Sequence, residues 1–211
     1  MNLTRTPTYL VTTFSVLFAL VSFRFFGLGM ETAFADMLGH LQARRLAFVL
    51  HVSFAPLALI TGAIQLFPKI RAKRAAFHRW TGRLYALSIL IGGVSGLIVA
   101  FGAAGGISAQ LGFAILSALW LFTTFQGVRY ARARRFAEHR RWMIRSFALT
   151  FAAVTLRLYL PFFFANGLTY TQASNYVAWM CWIPNLLIVE LWVRRSHVTP
   201  KETPEQYSRL P

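Results

Sequence analysis

About six apolar runs, each close to the roughly 20 residues that carry an α-helix through a bilayer, occupy most of this chain. Hydrocarbon offers no water to backbone N–H and C=O groups, so such runs must bond them internally, as helices do. The runs fall at about residues 9–28, 46–67, 80–103, 111–130, 142–164 and 176–193. The fold class they predict is an all-α membrane protein with about six transmembrane helices. Of 211 residues, 56% are hydrophobic and 13% charged, which leaves short connections and no separate soluble domain. Residues 1–195 therefore read as one integral membrane domain, and the polar residues 196–211 as a mobile cytoplasmic tail.

A formal net charge of +16 raises the question of nucleic acid, since clustered Lys and Arg neutralise phosphates. Position answers it. Of the 22 Lys and Arg, all except Arg24, Arg44, Arg45 and Arg157 sit at Arg5, within residues 69–83 and 129–145, or after Trp192. Pairs of apolar runs separate these basic segments, which is the positive-inside pattern of a multi-pass membrane protein. The expected partner is the lipid bilayer, with no nucleic acid, and both termini and both basic loops are expected in the cytoplasm. The turns at 102–110 and 165–175, on the other side, carry no charge. The first run reads as an uncleaved anchor. Ala33-Phe34-Ala35 resembles a signal-peptide cleavage site, but Arg24 interrupts the apolar region and the site lies far beyond it. Residues 30–45 mix Glu31, Asp36, His40, Arg44 and Arg45 with apolar positions, and suit an interfacial helix on the outer face or an ordinary loop.

An internal repeat organises the middle of the chain. Arg71-Ala72-Lys73-Arg74 through His78-Arg79 matches Arg132-Ala133-Arg134-Arg135 through His139-Arg140. With one residue inserted, Trp80, Arg83, Ala86 and Leu87 fall on Trp142, Arg145, Ala148 and Leu149, and Gln65 and Gln126 each stand 13 residues before their histidine. The second and third runs thus form one hairpin, residues 46–104, and the fourth and fifth its copy, residues 107–165. Both hairpins run in the same direction, so the repeat is parallel, with its pseudo-axis along the membrane normal. A four-helix core with the first and last runs outside it is the architecture expected.

His78 and His139 stand at equivalent starts of the third and fifth runs. Two imidazoles from facing helices can supply both axial ligands of a haem b iron, with Arg83 and Arg145 holding its propionates. The same residues admit a plainer use, in which His-Arg-Trp anchors each helix at the headgroups. Helical phase returns His139 to Arg157 and His78 to Gly96 after 18 residues, on the same face. Ser88, Gly92 and Gly96 thin one face of the third run, which suits a flat cofactor in a seam or simply close helix packing.

His51, Arg24 and Arg157 lie inside runs, where an ionised group costs at least a few kcal/mol unless it reaches water or a partner. Arg24 can reach the surface along its own stem. An anionic ligand such as a haem propionate, a quinone oxygen or a lipid phosphate would satisfy Arg157, and Arg24 with it. Glu190, the acid in the last run, is expected to pair with Arg145 or Arg83. A single cysteine, Cys181, excludes a disulfide framework and a cysteine-held cluster.

His51, Gln65-Leu66-Phe67-Pro68, His78-Arg79-Trp80-Thr81-Gly82-Arg83-Leu84-Tyr85 and His139-Arg140-Arg141-Trp142-Met143-Ile144-Arg145-Ser146 resemble a family of predicted bacterial membrane proteins, domain of unknown function 2306. The likeness covers most of the chain, from about His51 to Arg157, implies a bacterial inner-membrane location and brings no assigned activity. In helix count and histidine placement the chain also resembles the transmembrane b-type cytochromes, which hold two haems in a four-helix core. Their ligands come from the second and fourth, and third and fifth, helices. By that resemblance His78 and His139 form the third-and-fifth pair and His51 matches the second helix, while the fourth run has no histidine. Two functions follow as expectations. One is haem b binding with electron transfer, to a membrane redox partner or quinone; the other is a non-redox small transporter or a lipid-binding assembly factor.

Overall fold

The computed structural model of the protein describes residues 5–195. Among them, six helices are long and apolar enough to cross a membrane: Pro7–Leu28, Arg45–Gln65, Ala75–Ala100, Gly106–Arg132, Phe136–Ala165 and Tyr170–Arg195. They are spans one to six below. No strand occurs among the described residues, and the protein is an all-α, multi-pass membrane protein. The tail expected at 196–211 lies outside the described residues.

Spans three and five begin at Ala75 and Phe136, more than a turn before the apolar edges at Trp80 and Trp142. Hydropathy marks where hydrocarbon begins, whereas Ala, Arg and Glu favour helical backbone on either side of that boundary. His78 and His139 are consequently each the fourth residue of a helix. Pro68 opens the short basic helix Pro68–Lys73, where its missing N–H costs nothing. Gly105, at φ 94°, supplies the left-handed residue that reverses the chain between spans three and four. Span six starts on a capping box, in which Thr169 and Gln172 satisfy each other's backbone N–H.

Span two packs along span three, span four along span five, span three against span four, and span two closes the ring on span five. These four form the core. Span one lies on span two and the second half of span five, and span six lies on spans four and five. The glycine face of span three serves close packing: a Cβ on Gly92 would stand 3.3 Å from the backbone N of Ala55 on span two. Outside, large apolar side chains such as Leu90, Phe125 and Ile188 are exposed, as a surface facing lipid requires.

A polar knot sits inside this apolar core. The Tyr85 hydroxyl on span three lies 2.8 Å from both Ser146 Oγ and Thr150 Oγ1 on span five. Trp120 Nε1 on span four donates to the same Thr150 oxygen at 2.8 Å, and Thr124 Oγ1 reaches Ser146 Oγ at 2.8 Å. Three core helices are thereby tied together where no water competes for the bonds.

Three elements depart from regular helix. Span one breaks at Phe23 and Arg24 before resuming as Phe25–Leu28. Residues 30–45 are neither one interfacial helix nor a plain loop but short turns, Met30–Ala33, Ala35–Met37 and Leu38–Ala43, with Phe34, His40 and Leu41 buried. Gly29, at φ 77°, makes the entry to them. Span five breaks at Phe151, between Phe136–Thr150 and Ala152–Ala165. The 18-residue helical phase from His139 to Arg157 is therefore not carried by one unbroken helix.

Candidate functional site

At the end of the bundle away from the basic loops, the core helices do not fill the space between them. A cavity of about 480 Å³ remains, walled by spans one to six and floored by the turns around Phe34 and Asp36. Most of its wall is apolar, including Phe34, Phe48, Phe113, Trp120 and Leu156, and His51 and Arg157 are the ionisable groups it meets on spans two and five, beside the hydroxyls of Ser117 and Thr150. Spaces of roughly 300–1,000 Å³ with apolar walls and a few placed polar groups are the usual form of small-molecule sites.

His51 reaches the cavity from span two. Its Nδ1 lies 2.8 Å from the carbonyl oxygen of Gly92 on span three. A carbonyl only accepts, so Nδ1 carries the hydrogen, and in the neutral ring Nε2 is left as an acceptor. Gly96 sets the ring's position: a Cβ there would stand 2.7 Å from Nδ1 and 2.9 Å from Cε1. The absence of that one carbon seats the imidazole. Among the described residues Nε2 has no hydrogen-bond partner, and the half-buried ring lines the cavity.

Arg157 enters from span five, one turn beyond Ala153. Its Nη1 donates to the Ala153 carbonyl at 2.7 Å, which satisfies one of five N–H donors. Among the described residues the remaining donors have no partner, and the ion pairs are Arg135 with Glu138 and Arg145 with Glu190, neither of them at the cavity. His51 and Arg24 both lie within electrostatic range of Arg157. Two guanidinium groups thus flank one space, and among the described residues the exposed Asp36 is the one acid on its wall. The field there favours an anion or a concentrated acceptor dipole.

Arg24 does more than reach for the surface. Its Nη2 donates to the Ala33 carbonyl at 2.5 Å, and its guanidinium lies 5.1 Å from the Phe34 ring centroid. It fastens the turns after span one to the break in that span. His40, buried on the same wall, stacks on Phe48 with ring centroids 6.0 Å apart, and burial first, then Arg44, then His51, hold its pKa below the ordinary 6.5.

The other proposed ligands stand elsewhere. His78, His139, Arg83 and Arg145 lie at the basic end and do not line the cavity. There, His139 Nδ1 lies 2.8 Å from the Gly127 carbonyl oxygen on span four, and His139 is within electrostatic range of His78. Among the described residues, the buried Nδ1 of His78 and Oε1 of Gln126 have no hydrogen-bond partner. Gln65 donates to the His78 carbonyl at 3.2 Å and to Thr81 Oγ1. The two repeats therefore use their glutamines differently. Arg145 is bound to Glu190, with Nε to Oε1 at 2.5 Å and Nη2 to Oε2 at 3.0 Å, while Arg83 is exposed. Among the described residues no three His, Cys, Asp or Glu side chains converge as a metal site.

Sequence reasoning did not mark Trp120, Tyr170 or His40 as cavity residues. Trp120 inside an apolar run, and Tyr170 and His40 in connections between runs, carry no signal of which helices they will face, and only the assembled bundle shows it. A family model described as "Predicted membrane protein (DUF2306)" matches residues 48–193, more than half of the chain. No curated protein and no solved structure matches it.

Proposed function

We propose that this chain, which belongs to the DUF2306 family of predicted membrane proteins, is a lipid-binding protein of the bacterial inner membrane that holds a small amphiphile in the His51–Arg157 cavity. One observation carries the reading: Arg157 brings a guanidinium with most of its donors unmatched into a space with apolar walls. A buried cation of this kind is stabilised by a ligand that supplies an acceptor, and the apolar wall takes the rest of the molecule. With the basic loops on the cytoplasmic side, as the positive-inside rule favours, this cavity lies in the half of the membrane away from the cytoplasm. Native mass spectrometry of the purified protein and of Arg157→Gln tests the reading. The wild type retains a bound amphiphile, and the variant retains at least about tenfold less, because hydrogen bonds to a charged group contribute about 1.5–3 kcal/mol. Equal retention by both proteins refutes it.

A second reading, haem b bound by His78 and His139 with electron transfer, is favoured by a separate observation at the basic end. His139 donates its Nδ1 hydrogen to a backbone carbonyl, as metal-bound histidines do, and stands near a His78 whose Nδ1 is unpartnered. Arg145, tied to Glu190, is not free for a propionate. Dithionite-reduced membranes from haem-replete cells decide it: b-type absorption that disappears in His139→Ala supports haem, and a wild type without that absorption defeats it.

A further inference from the structure

Resting on the cavity as the binding site, the head group of its ligand can be narrowed by the hydrogen-bonding roles of the two side chains that face it. Arg157 offers donors only. His51 is held in the opposite role, because donation from Nδ1 to the Gly92 carbonyl leaves the neutral ring with an accepting Nε2. A single ligand that matches both must accept at Arg157 and donate at His51. Phosphate diesters, carboxylates and sulfates accept at every oxygen and leave His51 unmatched. Quinones do the same. A hydroxylated ring supplies both functions, since its O–H donates while its other oxygen accepts.

The walls agree with a ring. Phe34, Phe48, Phe113 and Trp120 present aromatic surface to the same space as the two polar groups. A cavity of about 480 Å³ suits one substituted ring with the start of a single chain better than the body of a diacyl lipid. Gly96 adds to the specificity, as any side chain there would push the imidazole from the position that Gly92 fixes.

We infer that the cavity selects the hydroxylated, reduced form of a quinone-class lipid, with His51 Nε2 accepting from the ring hydroxyl and Arg157 donating to a ring oxygen. His51 is then the residue that tells quinol from quinone. Only binding is assigned here, with no electron transfer.

Equilibrium binding to the full-length protein in phosphatidylcholine nanodiscs at about pH 8.5, where a phosphate monoester is a dianion that only accepts, tests this with four probes: decylubiquinol kept reduced under argon, decylubiquinone, decylubiquinol dimethyl ether and dodecyl phosphate. The ether keeps the ring and its oxygens but has no O–H. Wild-type protein binds the quinol about tenfold more tightly than the ether and the quinone, the value of one well-formed hydrogen bond in a dry site. In His51→Leu that preference falls to about one, while dodecyl phosphate still binds. Arg157→Gln weakens all four. A wild-type preference below about threefold overturns the quinol assignment, even if dodecyl phosphate binds and depends on Arg157. That pattern leaves the amphiphile reading standing. Failure of all four probes to bind the wild type overturns both. If His51→Leu loses dodecyl phosphate as well, its fold is damaged, and the wild-type comparison of quinol with ether decides alone.

Discussion

Removing one hydroxyl from the polar knot in the core should cost far less than removing its central oxygen. Tyr85→Phe deletes two bonds, to Ser146 and Thr150, but strands neither partner. Ser146 keeps Thr124, and Thr150 keeps Trp120 and its own bond to the Ser146 carbonyl. Interhelical hydrogen bonds in bilayers contribute about 0.6 kcal/mol on average, so the expected loss is about 1 kcal/mol. Thr150→Val is nearly isosteric yet removes the oxygen that both Tyr85 and Trp120 use. Trp120 Nε1 can only donate, and it is left in the apolar core without an acceptor, which costs about 1–3 kcal/mol beyond the lost Tyr85 bond. The expected total is about 2–4 kcal/mol. Reversible unfolding in bicelles, with the two single variants and the double variant, measures each loss and their coupling. The coupling should be about 0.6 kcal/mol, because the two residues share one bond. Equal damage from Tyr85→Phe and Thr150→Val would mean that the knot is not arranged around Thr150.

Other consequences follow from particular contacts. A Cβ at Gly62 would stand 2.6 Å from Tyr85 Cε2 and 2.8 Å from Phe147 Cδ2, both in the crowded core, so Gly62→Ala should destabilise by about 1–3 kcal/mol in the same unfolding assay. His40 is buried and its pKa is held below 6.5, so the folded state prefers the neutral ring while the unfolded chain protonates first. Stability from this site is full above about pH 6.5 and is lost as the pH falls below it; melting curves between pH 7.5 and 5 should show that loss in the wild type and less of it in His40→Gln. On a Cys181→Ala background, cysteines introduced at Lys73 and Arg134 should react with an impermeant maleimide only in inside-out vesicles; reaction in right-side-out vesicles would invert the proposed orientation.

The six spans were legible because hydrocarbon imposes a length and a composition on every crossing, and the uncharged turn at Gly105 marks a reversal as clearly as the basic segments do. Glu190 was legible too: an acid near clustered arginines takes one, and it takes Arg145. Helix ends were less so, since Ala75 to Arg79 is helical and yet too polar to register as membrane. The breaks at Arg24 and Phe151 left no local mark, because neither proline nor glycine causes them. The cost of burying His51 and Arg157 singled them out one at a time. Their meeting in one cavity was hidden, because it depends on span two and the second half of span five closing the ring, and on Gly96 making room for the imidazole. The knot was hidden for the same reason. Ser146, Thr150 and Tyr85 are ordinary residues in apolar helices until the helices are put together.

Whether Arg157 holds the head of an amphiphile inside the bundle can be seen in an experimental density map of the protein purified gently from membranes. The cavity should contain an elongated feature that no side chain explains, with a polar atom about 2.7–3.2 Å from an Arg157 nitrogen and a ring beside Trp120. Arg157 turned onto an acidic side chain of this protein, or a cavity closed by its own walls with no ligand within reach of that guanidinium, would rule out a bound amphiphile.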